Sequence, residues 1–259
     1  MFNVSSLQLH TWLAEFIWPF CRILALLSTA PLFSARGVPA HVKVSLAFVI
    51  TILVAPLLTA MPNISPASAY GLLIVAQQLL IGFAMGLAIR ILFMAFEMAG
   101  HIMGLQMGLG FATFFDPQNA TQVPLIGQLM TIMAMLFFLA LNGHLLVINA
   151  LVSSFETIPI GANMATWSFR ALVLSGANIF TWGMQLAMPV LGSVLLANTA
   201  LGVLTRASPQ LNIFSVGLPL TLIVGLVILW ISIPYFYPLF DSMMNQSIGN
   251  MLKIARPLP

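Results

Sequence analysis

Charged residues are scarce throughout this 259-residue sequence, which contains eight Lys or Arg and five Asp or Glu. They make up 5% of the chain, against roughly 25% in a soluble domain. Four long stretches contain no charge at all: residues 44–89, 117–155, 171–205 and 207–240. Apolar runs longer than about 18 residues are typical of transmembrane helices. The composition therefore predicts a polytopic membrane protein and excludes soluble enzyme classes.

Other chemical groups are also missing. The single cysteine, Cys21, excludes an internal disulfide and a cysteine metal cluster. The eight basic residues are scattered and form no phosphate-binding stripe, so nucleic-acid binding is not expected. No HExxH, GxSxG or Walker A motif occurs. We therefore expect no enzyme activity, no catalytic residue, no metal site and no cofactor.

Seven apolar segments follow one another along the chain, and the last of them is the weakest. Only helices satisfy their backbone groups within lipid as single segments, so we interpret all seven as helical and the fold as all-α. The connectors between the segments are short, so a single membrane domain is expected over residues 1–259. The segments are about Trp12–Phe33, Val42–Met61, Tyr70–Phe96, Met98–Phe115, Leu125–Val152, Phe169–Leu204 and Leu211–Phe240.

Three ionisable residues lie at the junction of the third and fourth segments. Arg90 and Glu97 are two helical turns apart, and Glu97 and His101 are i,i+4 neighbours. An ionisable group at membrane depth costs about 2.5–3.5 kcal/mol on insertion scales and indicates function by default. A proton or ion relay is one interpretation. Charges that lie near a membrane interface, or that are paired and buried inside an assembly, are the other, and we favour it because no second acid lies nearby to accept a proton.

Glycines in the same region follow the small-xxx-small pattern that lets membrane helices approach closely. Gly82 and Gly86 belong to the third segment, and Gly100, Gly104 and Gly108 to the fourth. The spacing predicts a tight helix pair.

The end of the fourth segment combines features that an ordinary membrane helix avoids. Two glycines loosen the backbone, three phenylalanines add bulk, and an Asp-Pro pair ends any helix. Such a stretch at membrane depth is tolerated where it is buried in protein or lines a cavity. Ordinary packing and a re-entrant plug are both open interpretations of these residues. They are Gly108, Gly110, Phe111, Phe114, Phe115, Asp116 and Pro117.

Several stretches together resemble the FliR family of flagellar biosynthesis proteins and their counterparts in type III secretion. Their order and spacing are similar to that family across nearly the whole chain. The stretches are Arg36–Pro39, Lys43–Phe48, Gly108–Pro117, Leu141–His144, Arg206–Phe214 and Gly217–Pro219.

The resemblance implies a non-enzymatic subunit of a helical protein-export gate in the bacterial inner membrane, within the flagellar basal body. FliP- and FliQ-type subunits, an FlhB-type subunit, membrane lipid and unfolded flagellar export substrates are the implied partners. It also implies a FliP-like part at about residues 1–165 and a FliQ-like hairpin at about 166–259.

The resemblance assigns roles to two groups of residues. The family's plug loop corresponds to Gly108–Pro117, where the residues themselves already suggest a hinge. The polar connector between the last two segments is implied in assembly, together with the glycines described above. Its residues are Arg206, Pro209, Gln210 and Asn212.

Two alternatives remain at the level of sequence. A stand-alone transporter or channel should show inverted repeats and midplane charges in corresponding halves, and the sequence has neither feature. An intramembrane enzyme lacks support because the catalytic motifs are missing.

Overall fold

The fold is described from a computed structural model, which defines residues 6–34, 37–58, 62, 64–66, 68–111, 125–161, 169–208 and 213–254. Within these ranges the regular structure is helical and includes no strand. The helices are α1 (Ser6–Thr29), α2 (Pro31–Ser34), α3 (Ala40–Val54), α4 (Ala69–Gln106), α5 (Leu125–Ala140), α6 (Gly143–Thr157), α7 (Phe169–Gly176), α8 (Asn178–Ala207) and α9 (Ile213–Ile254), with 3₁₀ turns at Ala55–Leu57 and Leu109–Phe111.

Helix length and composition agree with a membrane protein. Four helical stretches within the described ranges are long and apolar enough to cross a bilayer: Ala40–Leu57, Ala69–Gln106, Leu172–Ala207 and Val216–Lys253. A fifth span results if α5 and α6 form one broken crossing. The predicted all-α, polytopic membrane fold is confirmed.

The third and fourth predicted segments are one continuous helix, α4, of 38 residues. The sequence between them contains Arg90, Glu97 and Gly100, none of which stops a helix whose neighbours are strong helix formers. At 1.5 Å per residue, α4 is about 57 Å long, far more than the roughly 30 Å hydrocarbon core of a bilayer. The expected helix pair between these two segments was therefore wrong.

The fifth predicted segment is broken where the sequence predicts an unbroken span. Asn142 adopts a left-handed conformation, with φ of 54°, between α5 and α6. Asparagine is among the few non-glycine residues that tolerate this conformation. The pair Asn142-Gly143 therefore ends one helix and starts the next.

The seventh segment, expected to be weak, forms the longest helix. Helix α9 has 42 residues and contains Pro219, Pro234 and Pro238. Its buried side chains recur every three or four residues beyond Phe240, at Met243, Ser247 and Met251. This amphipathic extension, which mixes polar and apolar residues, is invisible to a search for apolar runs.

The chain forms two compact units, each assembled from distant stretches of sequence. Unit 1 comprises Met1–Ile91, Asn142–Gly176 and Met244–Pro259, and unit 2 comprises Leu92–Leu141 and Ala177–Met243. The sequence-based division at about residue 165 concerns likeness to other subunits, and it stays a prediction.

In unit 1, helices α1 and α4 approach each other through small residues. A β carbon placed at Gly82 would meet the carbonyl oxygen of Arg22 and the β carbon of Ala25. At Gly86 it would lie 2.7 Å from the β carbon of Thr29. Gly82 and Gly86 therefore fit against Ala25 and Thr29, one helical turn apart on both helices. The small-xxx-small pattern does produce a close pair, but the partner is α1.

A fully buried arginine joins three helices of unit 1. The guanidinium of Arg22 in α1 donates from Nε to Oε1 of Gln78 in α4 at 2.7 Å. Nη1 donates to the carbonyl oxygen of Ser154 at 2.9 Å and to its hydroxyl oxygen at 3.1 Å. Nη2 donates to the carbonyl oxygen of Ile158 at 3.0 Å, and the guanidinium carbon lies 4.2 Å from the ring centroid of Phe155.

These acceptors explain how a cation is tolerated in the interior. Ser154 and Ile158 are at the C-terminal end of α6, where the helix dipole is negative. The Ser154 carbonyl oxygen also accepts from the Ile158 N–H at 2.9 Å, whereas the Ile158 carbonyl lies beyond the last helical residue, Thr157. Arg22 therefore caps α6 from another helix, and the face of Phe155 adds a cation–π contact.

In unit 2, aromatic rings from α4, α5 and α9 form the core. Phe240 contacts Phe93, Phe96 and Phe137 with ring centroids 6.4, 5.4 and 5.8 Å apart. The first two contacts are edge-to-face, an arrangement favoured by the ring quadrupoles.

The glycines of α4 in unit 2 are not equivalent. A β carbon at Gly100 would lie 2.5 Å from Cα of Gly127 and 2.6 Å from the carbonyl oxygen of Ile126 in α5. At Gly104 it would meet Ile126 only at an ordinary contact distance of 3.7 Å. Close approach of α4 and α5 therefore requires glycine at position 100 and tolerates a methyl group at 104.

We expect Gly100→Ala to destabilise the protein and Gly104→Ala to leave its stability unchanged or slightly raised. At position 100 the obstacle is backbone, so the helices must move apart, at a cost of about 1–3 kcal/mol. At position 104, alanine gains helix propensity without a clash. Heat-induced loss of monodisperse protein in detergent measures both variants. Equal stability of the two would contradict the packing described here.

We expect Arg22→Lys to lower thermal stability strongly, by on the order of 3 kcal/mol, because an ammonium group cannot reproduce the guanidinium fork. The acceptors of Gln78, Ser154 and Ile158 would then be left partly unsatisfied. Arg90→Lys is the control, since the Arg90 side chain is exposed on the chain. If both Lys variants melt alike, Arg22 does not hold these helices together.

Candidate gate segment

Helix α4 ends in a conformation that glycine makes possible. The Met107 N–H donates to the carbonyl oxygen of Met103 at 2.9 Å, and the Gly108 N–H donates to that of Leu105 at 3.1 Å. Gly108 then adopts φ of 85°, in the left-handed region. Glycine populates this region readily because it has no β carbon. The chain leaves the helix here and enters the 3₁₀ turn Leu109–Phe111.

Met107, two residues before this turn, packs against α9. Met107 is buried, and a β carbon at Gly225 would lie 2.5 Å from its Cγ and 2.7 Å from its Cε. The methionine side chain therefore occupies space that only a glycine leaves free. The Thr221 hydroxyl also lies 3.4 Å from the Met107 carbonyl oxygen.

The predicted plug residues are described only at their beginning. Gly108 directly precedes the 3₁₀ turn and Gly110 lies within it, where a β carbon at Gly110 would be 3.1 Å from Cδ2 of Leu105. Phe111 is described as part of the 3₁₀ turn. Phe114, Phe115, Asp116 and Pro117 lie outside the described residues. Their assignment to a plug stays a prediction.

The polar connector after α8 is likewise described at one end only. Arg206 is an exposed residue in the last turn of α8, where a cation complements the helix dipole. The Ser208 N–H ends the helix by donating to the Leu204 carbonyl oxygen at 2.9 Å. Pro209, Gln210 and Asn212 lie outside the described residues.

The expectation that Arg90, Glu97 and His101 are buried polar groups is wrong for the chain itself. All three side chains are exposed, because they lie on the face of α4 that points away from its packed neighbours. His101 Nε2 and Glu97 Oε1 are 3.9 Å apart, with 46% and 56% of the side chains exposed. A pair this exposed and this long contributes little to stability.

The sequence interpretation missed the buried ionisable group that the structure does contain. Arg22 lies within the first apolar segment, and a lone charge in such a run is itself a signal for a functional or structural site. It also missed Gly217, Thr221 and Gly225 of α9, whose spacing of four is the same small-residue pattern recognised in α4.

Among the described residues, no three His, Cys, Asp or Glu side chains come close enough to hold a metal ion. The features described in this part of the chain are a glycine turn, the buried Met107 that precedes it and the helix-capping Arg22.

Comparison with known proteins places the chain in a family. The family model described as "Bacterial export proteins, family 1" matches residues 13–247. The flagellar biosynthetic protein FliR of Escherichia coli is 42% identical over 260 residues, which cover 100% of this chain and 99% of that protein. FliR of Bacillus subtilis is 32% identical, covering 91% of this chain and 92% of that protein. The resemblance seen in the sequence motifs is confirmed, and the chain belongs to the FliR family of bacterial export proteins.

Proposed function

We propose that this chain is a non-enzymatic subunit of the flagellar protein-export gate in the bacterial inner membrane. In this role it helps form the channel for unfolded flagellar proteins, and the segment beginning at Gly108 closes that channel. Subunits of the FliP, FliQ and FlhB types are its proposed partners. The observation that carries the proposal is the full-length similarity to proteins named for flagellar biosynthesis and bacterial export.

The surface of the chain supports a role within an assembly. In the most apolar part of α4, 67% of the residues are buried, against 22% in the α3 stretch and 28% in α9. Large apolar side chains such as Leu53, Leu196 and Trp230 are at least two-thirds exposed. So much apolar surface requires lipid or partner subunits as its environment.

Helix length also supports a role beyond simple membrane crossing. Helices α4 and α9 have 38 and 42 residues, or about 57 and 63 Å at the usual rise. Both exceed the roughly 30 Å hydrocarbon core even when tilted by 40°. Each must extend beyond the hydrocarbon core, as a helical gate that projects from the membrane would require.

The turn at Gly108 supports the proposal that the residues after it form a gate segment. A long helix stops abruptly there, and the bulky residues of the sequence follow immediately. A constriction of apolar side chains closes a pore by excluding water, and an ion that crosses it loses hydration. Phe111, Phe114 and Phe115 supply the required bulk in this proposal.

We expect the chain to copurify with other membrane subunits and to be poorly behaved alone. Its exposed apolar surface should cause aggregation when no partner covers it. Affinity purification of the tagged chain, with and without coexpressed FliP- and FliQ-type subunits, measures this dependence. A monodisperse chain that transports a solute by itself would favour the alternative of a stand-alone transporter.

We expect deletion of residues 110–115 to raise resting ion leakage across the membrane while the complex still assembles. A hydrated ion needs a far smaller opening than an unfolded protein, so leakage should increase before export changes. The triple replacement of Phe111, Phe114 and Phe115 by alanine keeps the chain length and should have the same effect. Conductance or dye uptake measures leakage, and complex abundance is the control. If the fully assembled deletion variant leaks no more than the wild type, the segment does not close the channel and the proposal is refuted.

A further inference from the structure

Helices α1 and α4 meet in a regular register within unit 1. A β carbon at Gly82 would meet the carbonyl oxygen of Arg22. One turn further along α4, a β carbon at Gly86 would lie 3.1 Å from the carbonyl oxygen of Leu26. Both helices advance by one turn between the two contacts, so they run in the same direction here and stay level with each other.

The same register, one turn earlier, places Trp18 of α1 opposite Gln78 of α4. Trp18 is one turn before Arg22 and therefore lies on the same face of α1. Arg22 Nε donates to Oε1 of Gln78 at 2.7 Å, so this turn of α4 faces α1. Both Trp18 and Gln78 are fully buried. The two side chains therefore lie together in the interface between these helices.

Each of these side chains has a buried N–H donor without a partner. Among the described residues, neither Trp18 Nε1 nor Gln78 Nε2 has a hydrogen-bond acceptor. The Gln78 amide cannot be reversed to change this, because its oxygen accepts from Arg22. A buried indole N–H usually finds a partner, and a donor without one has lost its bonds to water without replacement. Both donors therefore require an acceptor.

The acceptor has to be a third group, because two donors cannot bond to each other. Positive charge lies beside this position, since the guanidinium of Arg22 is bonded to neutral oxygens of α4 and α6. An acceptor atom here would gain from both N–H groups and from the guanidinium charge. It must also be small, because Trp18, Arg22 and Gln78 are each 0% exposed.

We propose that the interface of α1 and α4 binds one small hydrogen-bond acceptor, a chloride ion or a water molecule, between Trp18 Nε1 and Gln78 Nε2. A chloride ion accepts from both donors and balances the charge of Arg22. A water molecule accepts from both donors and gives its own protons to nearby carbonyl oxygens, as internal waters do. In either case the ligand joins α1 to α4 beside Arg22 and stabilises unit 1.

Gln78→Glu tests whether the two side chains face each other. Glutamate keeps one oxygen for Arg22 and replaces the amide nitrogen with a second oxygen, which accepts from Trp18 Nε1 directly. We expect this variant, purified with its partner subunits, to resist heat-induced loss of monodisperse protein at least as well as the wild type. A clearly lower stability would mean that the second oxygen is unpaired and would overturn the proposal.

Gln77→Glu is the matched control, since Gln77 is also buried in α4 but is turned by about 100° around the helix from Gln78. A carboxylate at position 77 does not lie opposite Trp18 and Arg22, so this variant should be clearly the less stable of the two. If both variants are equally stable, the tolerance of position 78 does not come from these donors, and the proposal is wrong.

The effect of chloride on thermal stability identifies the ligand. If the ligand is chloride, the midpoint of thermal loss should be higher in chloride than in gluconate at equal ionic strength, and if it is water the two should agree. Trp18→Phe and Gln78→Glu should abolish a chloride effect, whereas Trp182→Phe, which alters a buried tryptophan of unit 2, should keep it. Each variant is compared with itself in two salts, so the loss of ring volume cancels. A chloride effect that persists in Trp18→Phe arises elsewhere and excludes chloride as the ligand.

A crystal structure of the complex grown in bromide decides whether the site is occupied. Bromide replaces chloride and scatters anomalously, so an anomalous peak within hydrogen-bond distance of Trp18 Nε1 and Gln78 Nε2 identifies an anion. A density peak without anomalous signal identifies water. If no peak lies near either nitrogen, the proposal is overturned. None of these tests measures export, so their failure leaves the proposed function untouched.

Discussion

Burial of the Arg22 charge is the strongest single constraint on unit 1. Removing a cation from water costs several kcal/mol even after relaxation, and only well-placed acceptors recover it. The acceptors belong to Gln78 in α4 and to Ser154 and Ile158 at the end of α6. Helices α1, α4 and α6 must therefore meet in one register. In lipid, where apolar contact alone gives helices no preferred partner, such directional bonds decide which helices pair.

Close approach of backbones is the second constraint, and α4 uses it in both units. In unit 1, α1 packs against Gly82 and Gly86, and in unit 2, α5 packs against Gly100. Each contact brings a neighbouring backbone nearer than a β carbon permits, which increases dispersion contact along the helix. The high burial of α4 relative to the other long helices follows from these approaches. Helix α4 contributes residues to both units.

The sequence predicts the membrane class and most helices because long apolar runs are sufficient evidence for both. It does not predict which glycines are essential, since Gly100 and Gly104 look alike until the position of α5 is known. The last turns of α9 escape notice because a mixed polar and apolar face is not an apolar run. Arg22 could be noticed as a lone charge, but its acceptors are 56 to 136 residues away in the chain.

Two breaks in the helices, at Asn142 and Gly108, have a positive φ but lie in different surroundings. After Asn142 the chain enters α6, and Arg22 caps the far end of that helix within unit 1. At Gly108, the residue before the break is in contact with α9, because Met107 packs against Gly225. The same left-handed conformation thus precedes α6 at Asn142 and follows the end of α4 at Gly108, because asparagine and glycine adopt it at the lowest cost.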